Sequence, residues 1–355
     1  MSEVEQKSAP QQSSVDQLDT ERLREYLMRN VPDFSGPIKS AEKFSGGQSN
    51  PTFKLETGAE TYVLRRQPPG KLLKSAHAVD REFRVMRALA GTDVPVPKVV
   101  HLCEDRDVIG SMFYLMEYCE GRIFWDAALP ELDNAQRSAF YEEMSRVLAA
   151  LHSVNLDAVG LADYGRPGNY FERQFGRWQG QYRASELQLI TAMDQLIQWL
   201  GDHLPEDDGR MSLVHGDYRL DNIMFHPTES RAIAVLDWEL STLGHPFADL
   251  AYQCMQLRMP ANSGNISGLM NVDCKSLGIP SEQEYVSRYC DRMGIERIDN
   301  WAFYLAFSFF RLAAIIQGVA KRAHDGNASS KNAAALGALV EPLAMMALDV
   351  IENES

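Results

Sequence analysis

The segment from Val214 to Glu239 constrains this chain more than any other. It opens with Val-His-Gly-Asp-Tyr-Arg-Leu-Asp-Asn at 214–222 and closes with Leu-Asp-Trp-Glu at 236–239. Between the two lie the short apolar runs Ile-Met-Phe and Ala-Ile-Ala-Val-Leu, flanking a His-Pro-Thr-Glu-Ser-Arg turn. Apolar runs of strand length around a polar, proline-containing turn read as a β-hairpin. A hairpin returns the chain to where it left, so it folds Asp217, Asn222 and Asp237 toward one another. Either aspartate alone reads as turn chemistry, Asp217 accepting backbone hydrogen bonds and Asp237 capping a loop. The pair at this spacing, each behind an apolar run, reads as a reactive site.

Phosphoryl transfer from ATP needs such a trio: a carboxylate to orient the acceptor hydroxyl and take its proton, and hard oxygen ligands to hold Mg2+ against the phosphates. On this reading Asp217 is the catalytic base, and Asn222 and Asp237 are the metal ligands. The Asp-x4-Asn interval matches the catalytic-loop spacing of protein kinases. His215 orders the loop backbone on this reading, because the reaction already has its base. A metal hydrolase ligated by His215, Asp217 and Asp237 is a weaker alternative, for want of an HExxH motif or a dense carboxylate–histidine cluster. No Walker A sequence, GxGxxG fingerprint or GxSxG elbow gives P-loop, Rossmann or serine-hydrolase chemistry local support.

The rest of the chain predicts an α+β fold in two lobes, which 355 residues accommodate. Leu18, Leu23 and Leu27 recur at helical spacing before the core fold. Residues 38–66 read as an antiparallel meander of three short strands with a glycine-rich first turn. A helix over about 77–90 and two further strands, in PVPKVVHLCED and GSMFYLMEYCEG, complete a small lobe of five strands and one inserted helix. From Asp133 onward the pattern is helical, interrupted by the hairpin. A long amphipathic helix spans Ala135 to His152, and 170–200 supplies more, with Trp178, Leu187, Leu196 and Trp199 as core candidates.

The net charge of −14 disfavours nucleic-acid or anionic-membrane partners. The most apolar stretch, Trp301 to Phe310, runs ten residues before Arg311, short of the roughly 20 that span a bilayer, and predicts a buried helix. Five cysteines without a CxxC pair suggest neither a disulfide framework nor a zinc cluster, and fit a reducing, cytoplasmic setting. Residues 1–15 are polar, lack the pattern of a secretory signal, and read as a disordered tail.

The motifs HGDYRLDNIMF and LDWELSTLGHPFADLAY strongly resemble the aminoglycoside phosphotransferase and choline kinase group, a branch of the protein-kinase-like fold, over about residues 35–325. GGQSNPTF, YVLRRQPPGKLL, AHAVDREFRVMRAL and RQFGRW look closer still to the kinase-like domain fused to some acyl-CoA dehydrogenases. The resemblance implies ATP and Mg2+ as cofactors, Asp217 as base, Asn222 and Asp237 as ligands, and Asp249 as a brace for the catalytic loop. It also implies that 16–120 is the nucleotide-binding lobe and 121–355 the catalytic and substrate lobe.

In the small lobe, Ser45, Gly46, Gly47, Gln48 and Ser49 form the turn whose backbone amides would approach phosphates. Arg65 stands where kinases place a lysine, and Lys54 and Lys71 are weaker substitutes; arginine still binds phosphate, through a bulkier planar head. Glu82 would pair with that cation from the inserted helix, at the edge of a face set by Val79, Phe83, Met86 and Leu89. Glu117 and Cys119 would offer main-chain atoms to adenine. On the substrate side, Arg173 and Arg177 lie four apart on one helical face near Trp178 and Arg183, an arrangement suited to an anionic group such as a CoA phosphate. The polar segment 258–278 reads either as a substrate loop or as an inert connection. The expected acceptor is a hydroxylated small molecule, a hydroxyacyl-CoA or hydroxy acid, with an acyl-CoA dehydrogenase as functional partner. An antibiotic-resistance role has no support in the sequence. The competing class is a nucleotide-binding pseudokinase or scaffold, which the arginine at position 65 motivates.

Overall fold

The computed structural model describes residues 18–44, 50–68, 77–166, 168–261, 268–326 and 336–354. The expected N-terminal tail, the glycine-rich turn Ser45–Ser49, Lys71 and positions 262–267 of the polar segment lie outside the described residues. The chain divides into two compact units, one of Met1–Arg87 with Pro97–Cys119 and one of Ala88–Val96 with Glu120–Ser355.

Unit 1 is built on an antiparallel sheet of β1 (Ser40–Lys43), β2 (Thr52–Glu56), β3 (Thr61–Arg66), β4 (Val99–Cys103) and β5 (Phe113–Glu117), in the order β1-β2-β3-β5-β4. Burial along β2 alternates residue by residue, which puts Phe53 and Leu55 on one face of the pleat. Against that face packs helix α1 (Thr20–Asn30) through Leu23 and Leu27, its first turn capped by Asp19 accepting from Arg22 N at 3.0 Å. Tyr26 Oη lies 3.0 Å from His101 Nε2, joining α1 to β4. Helix α2 (Val79–Leu89) follows β3, and Val79, Val85, Met86 and Leu89 are buried. Glu82 is buried with them, not at the edge of the apolar face as periodicity alone suggests, and Phe83 is only half-buried.

Unit 2 is mainly helical. Helix α3 (Asn134–His152) opens with a reciprocal capping box between Asp133 and Gln136. Helices α4 (Tyr170–Ser185) and α5 (Thr191–Asp202) follow; Trp178 and Leu196 are buried, Trp199 is half-buried, and Leu187 is exposed in the connection between the helices. The expected hairpin is β7 (Ile223–Phe225) with β8 (Ala232–Val235). A second pair, β6 (Ser212–Val214) with β9 (Thr242–Gly244), encloses it in sequence. Helix α6 (Phe247–Arg258), helix α7 (Glu282–Met293), the long α8 (Trp301–His324) and a C-terminal helix Val340–Glu354 complete the unit. Helix α8 is long and apolar enough to cross a bilayer, yet 89% of its most apolar window is buried inside the protein against α4, α6 and the C-terminal helix.

Candidate active site

The loop between β6 and β7 is pinned from several sides. Tyr218 and Leu220 point into the core, where Tyr218 Oη donates to Met144 O at 2.8 Å. Burying two such side chains contributes on the order of 2 kcal/mol each, so the loop is held by hydrophobic anchors at alternate positions. The intervening Asp217, Arg219 and Asp221 are left partly exposed. Gly216 adopts φ +83°, and a Cβ there would sit 2.7 Å from Leu240 O, so only glycine fits. Asp249, fully buried at the start of α6, accepts from His215 N at 2.6 Å and from Gly216 N at 2.8 Å. His152 Nε2 reaches the same carboxylate at 3.3 Å, and His152 Nδ1 meets Tyr289 Oη at 2.7 Å. Burial alone would raise the Asp249 carboxyl, but hydrogen bonding to His152, the nearby imidazoles and the Gly216 N–H outweigh it and hold it below its ordinary value.

His215 bridges the two halves of the motif. Its Nδ1 accepts from Asp217 N at 3.2 Å, which leaves Nε2–H to donate to Leu236 O at 2.9 Å. Leu236 N in turn donates to Asn222 O at 2.8 Å, so the hairpin delivers Asp237 next to the residues that precede it. Asp237 itself is left-handed, at φ 64° and ψ 61°. Aspartate is one of the few non-glycine residues that tolerate this conformation, at a cost of about 1 kcal/mol or more, and it persists where neighbours over-determine it. They do so here: Trp238 Nε1 donates to Val235 O at 2.9 Å and Ser241 Oγ to Trp238 O at 2.6 Å, closing the turn behind Asp237.

Asn222 Nδ2 donates to Asp217 O at 2.9 Å and to Asp217 Oδ2 at 3.0 Å. Arg219 Nε approaches Asp217 Oδ1 at 3.5 Å, and its Nη2 donates to Asp221 Oδ2 at 2.6 Å. Burial would lower the Arg219 guanidinium, but the charges of Asp217, Asp221 and Asp237 around it raise it instead. The Asp221 carboxyl is raised, first by burial and then by Asp217 and Asp237, against the pull of Arg219. Asp217, Asp221, Asp237 and Arg219 therefore share one electrostatic neighbourhood. Among the described residues no group of three or more His, Cys, Asp and Glu could hold a metal by itself. A carboxamide oxygen and one carboxylate suit Mg2+, which takes one or two protein ligands and completes its shell with water and phosphate oxygens. Asn222 turns its amide hydrogens to Asp217, and its Oδ1 is the atom that could serve such a site.

In unit 1, Arg65 Nε lies 2.9 Å from Glu82 Oε2. Glu82, 1% exposed, also accepts from Asn50 Nδ2 at 2.9 Å and from Tyr114 Oη at 3.1 Å. Asn50 and Tyr114 are partners that the sequence pattern does not single out. Lys54 is instead engaged with Glu56 at 2.7 Å. At the end of β5, Glu117 N–H already donates to Lys98 O at 2.9 Å, which limits a main-chain contact there to its carbonyl. The Cys119 thiol is pushed up to about 12 by burial and the Glu117 carboxylate, which argues against a reactive thiolate.

The arginines of α4 diverge. Arg173 donates to Gly168 O, while Arg177 stacks on the Trp178 ring at 5.0 Å. Arg183 is engaged by Asp194 at 2.6 Å and by Glu186 at 3.3 Å. The residue that sequence reasoning missed is Arg311, buried in the middle of α8. It donates to Gly216 O and lies over the rings of Tyr252 at 5.1 Å and Trp178 at 5.7 Å. A lone arginine inside an apolar helical run was the signal available for it.

The family model described as "Phosphotransferase enzyme family" matches residues 40–279. A crystal structure from Ralstonia eutropha JMP134, solved as a candidate aminoglycoside phosphotransferase, is 51% identical with a TM-score of 0.86, covering 95% of this chain and 99% of that one. Aminoglycoside phosphotransferase APH(4)-Ia, in a ternary complex with ADP and hygromycin B, superposes with a TM-score of 0.60 at 15% identity over 94% of this chain and 99% of that one, a likeness of fold. Acyl-CoA dehydrogenase family member 10 of Mus musculus is 51% identical over 333 residues, 94% of this chain and 31% of the relative. Acyl-CoA dehydrogenase family member 11 of Homo sapiens is 44% identical over 341 residues, 94% of this chain and 43% of the relative. The chain thus spans less than half the length of these curated relatives. The fold is that of the small-molecule phosphotransferases, and the chain belongs to the phosphotransferase enzyme family.

Proposed function

We propose that this chain is an ATP- and Mg2+-dependent kinase that phosphorylates a hydroxyl group of a small molecule. The observation that carries this reading is the tie of Asn222 to the Asp217 carboxylate at 3.0 Å, with Asp237 returned beside them by the hairpin. The proposed roles follow from it. Asp217 accepts the proton of the acceptor hydroxyl as its oxygen attacks the γ-phosphorus, and the bond from phosphorus to the bridging oxygen breaks, releasing ADP. Asn222 and Asp237 would hold Mg2+, which when bound would neutralise charge on the phosphate oxygens. Asp249 and His215 keep the loop in place, so that the carboxylate needs no reorganisation during the reaction. Arg65, oriented by Glu82, would contact the phosphates through a planar fork rather than an ammonium.

Hydroxy acids and hydroxyacyl-CoA thioesters are the acceptor class to test first. Their support is that relatives named as acyl-CoA dehydrogenase family members carry a matching stretch, which also makes an acyl-CoA dehydrogenase the proposed functional partner. The test is transfer of labelled phosphate from ATP to a panel of hydroxy acids, acyl-CoA thioesters and aminoglycosides, with and without Mg2+. Mg2+-dependent labelling of a hydroxylated acceptor supports the proposal. Protein that binds ATP and Mg2+ but labels nothing supports the scaffold reading.

A further inference from the structure

We propose that unit 2 carries an oxyanion subsite, formed by Arg177 and Arg311 around Trp178, that reads a carboxylate or phosphate on the acceptor. The inference rests on the phosphotransferase reading above and specifies what distinguishes its substrate. Arg311 is 7% exposed; it donates to one carbonyl, Gly216 O, and lies over the faces of Tyr252 and Trp178. Among the described residues neither Arg311 nor Arg177 forms an ion pair with a carboxylate. A buried guanidinium without a counter-charge is costly, and a second guanidinium beside it makes the arrangement worse. Desolvation of its head group, and then the charge of Arg311, lower the Arg177 guanidinium, with Tyr170 acting against that fall.

Trp178 adds a third donor. Its ring lies under both guanidiniums, and its buried Nε1–H has no acceptor among the described residues. Two guanidiniums and an indole N–H are all donors, so the cluster lacks the one thing that an oxyanion supplies. The cluster also borders the reactive loop. Arg311 holds the carbonyl of the residue immediately before Asp217, and the Tyr252 hydroxyl is raised by burial and then by Asp217, with Arg219 and Arg311 acting against that rise. Arg177, exposed where Arg311 is buried, gives the anion an approach from solvent. A polycation such as an aminoglycoside would instead meet like charge, which selects against it.

The test compares matched compounds that differ in charge: 3-hydroxybutyrate with its methyl ester, and glycerol 3-phosphate with glycerol. The wild-type chain and the Arg177→Gln and Trp178→Phe variants are assayed for phosphate transfer and, separately, by calorimetric titration in the presence of ADP. The proposal expects the anion of a pair to be preferred about tenfold or more, with Arg177→Gln removing that preference and Trp178→Phe lowering it severalfold. The pair that shows the preference identifies the anion as carboxylate or phosphate. Equal binding of anion and neutral partner, or a preference that Arg177→Gln leaves intact, overturns the subsite. Anion-selective binding lost in Arg177→Gln, without any phosphate transfer, sustains the subsite and sinks the kinase reading alone.

Discussion

Asn222 holds Asp217 twice, donating one amide group to its carbonyl at 2.9 Å and to its carboxylate at 3.0 Å. The same side chain is thus a positioning residue for the proposed base and a proposed metal ligand, through opposite ends of its amide. Asn222→Ala removes both, and the expected outcome is a fall of about 10- to 100-fold in apparent Mg2+ affinity together with a loss of kcat. A Mg2+ titration of turnover reads this. Unchanged Mg2+ dependence would remove Asn222 from the metal site.

Glu82 gathers Arg65, Asn50 and Tyr114 around one buried carboxylate. Replacing it with alanine removes the buried carboxylate shared by a guanidinium and two further donors, so Glu82→Ala is expected to cost about 3–5 kcal/mol in urea unfolding. It should also raise the KM for ATP while leaving the acceptor KM near its wild-type value. Stability within 1 kcal/mol of wild type, roughly the level of an ordinary surface substitution, would contradict the network.

Asp249 links stability to acid. Its folded carboxyl lies below the ordinary value of 3.8, so the folded state binds fewer protons than the unfolded one in that range. The contribution is complete above pH 3.8 and is lost as the pH falls through the lower folded value. Asp249→Ala should therefore be less stable by about 3–5 kcal/mol at neutral pH and lack this part of the acid-induced loss. Unfolding midpoints in urea at pH 7 and across the acid range measure both effects.

His215 joins Asp217 N to Leu236 O across the hairpin. A residue acting only through the backbone predicts that His215→Ala lowers kcat by about 10- to 100-fold without changing the shape of the pH–rate profile. Disappearance of a limb of that profile would make His215 a proton carrier instead.

What could be read from the sequence was local. The hairpin and its motif residues are separated by few positions, so spacing alone predicts that they meet, and the strands of unit 1 are short runs set off by turns, with β2 alternating residue by residue. The pair β6–β9 escaped because Ser212 meets Gly244 across the whole motif, with no tight turn between the two strands to announce their pairing. Glu82 was expected at the edge of its helix, since helical periodicity knows nothing of Arg65, Asn50 and Tyr114, which come from distant segments and make its burial tolerable. Arg311 escaped for the same reason. It reaches Gly216 across 95 residues of sequence, and only the packing of α8 brings the two together.

The most direct measurement is single-turnover phosphate transfer by Asp217→Ala beside an independent measure of nucleotide binding. The expected result is a loss of about 10²- to 10⁴-fold in the rate of transfer, with ATP affinity within a few-fold of wild type. A variant that keeps most of its transfer rate contradicts it.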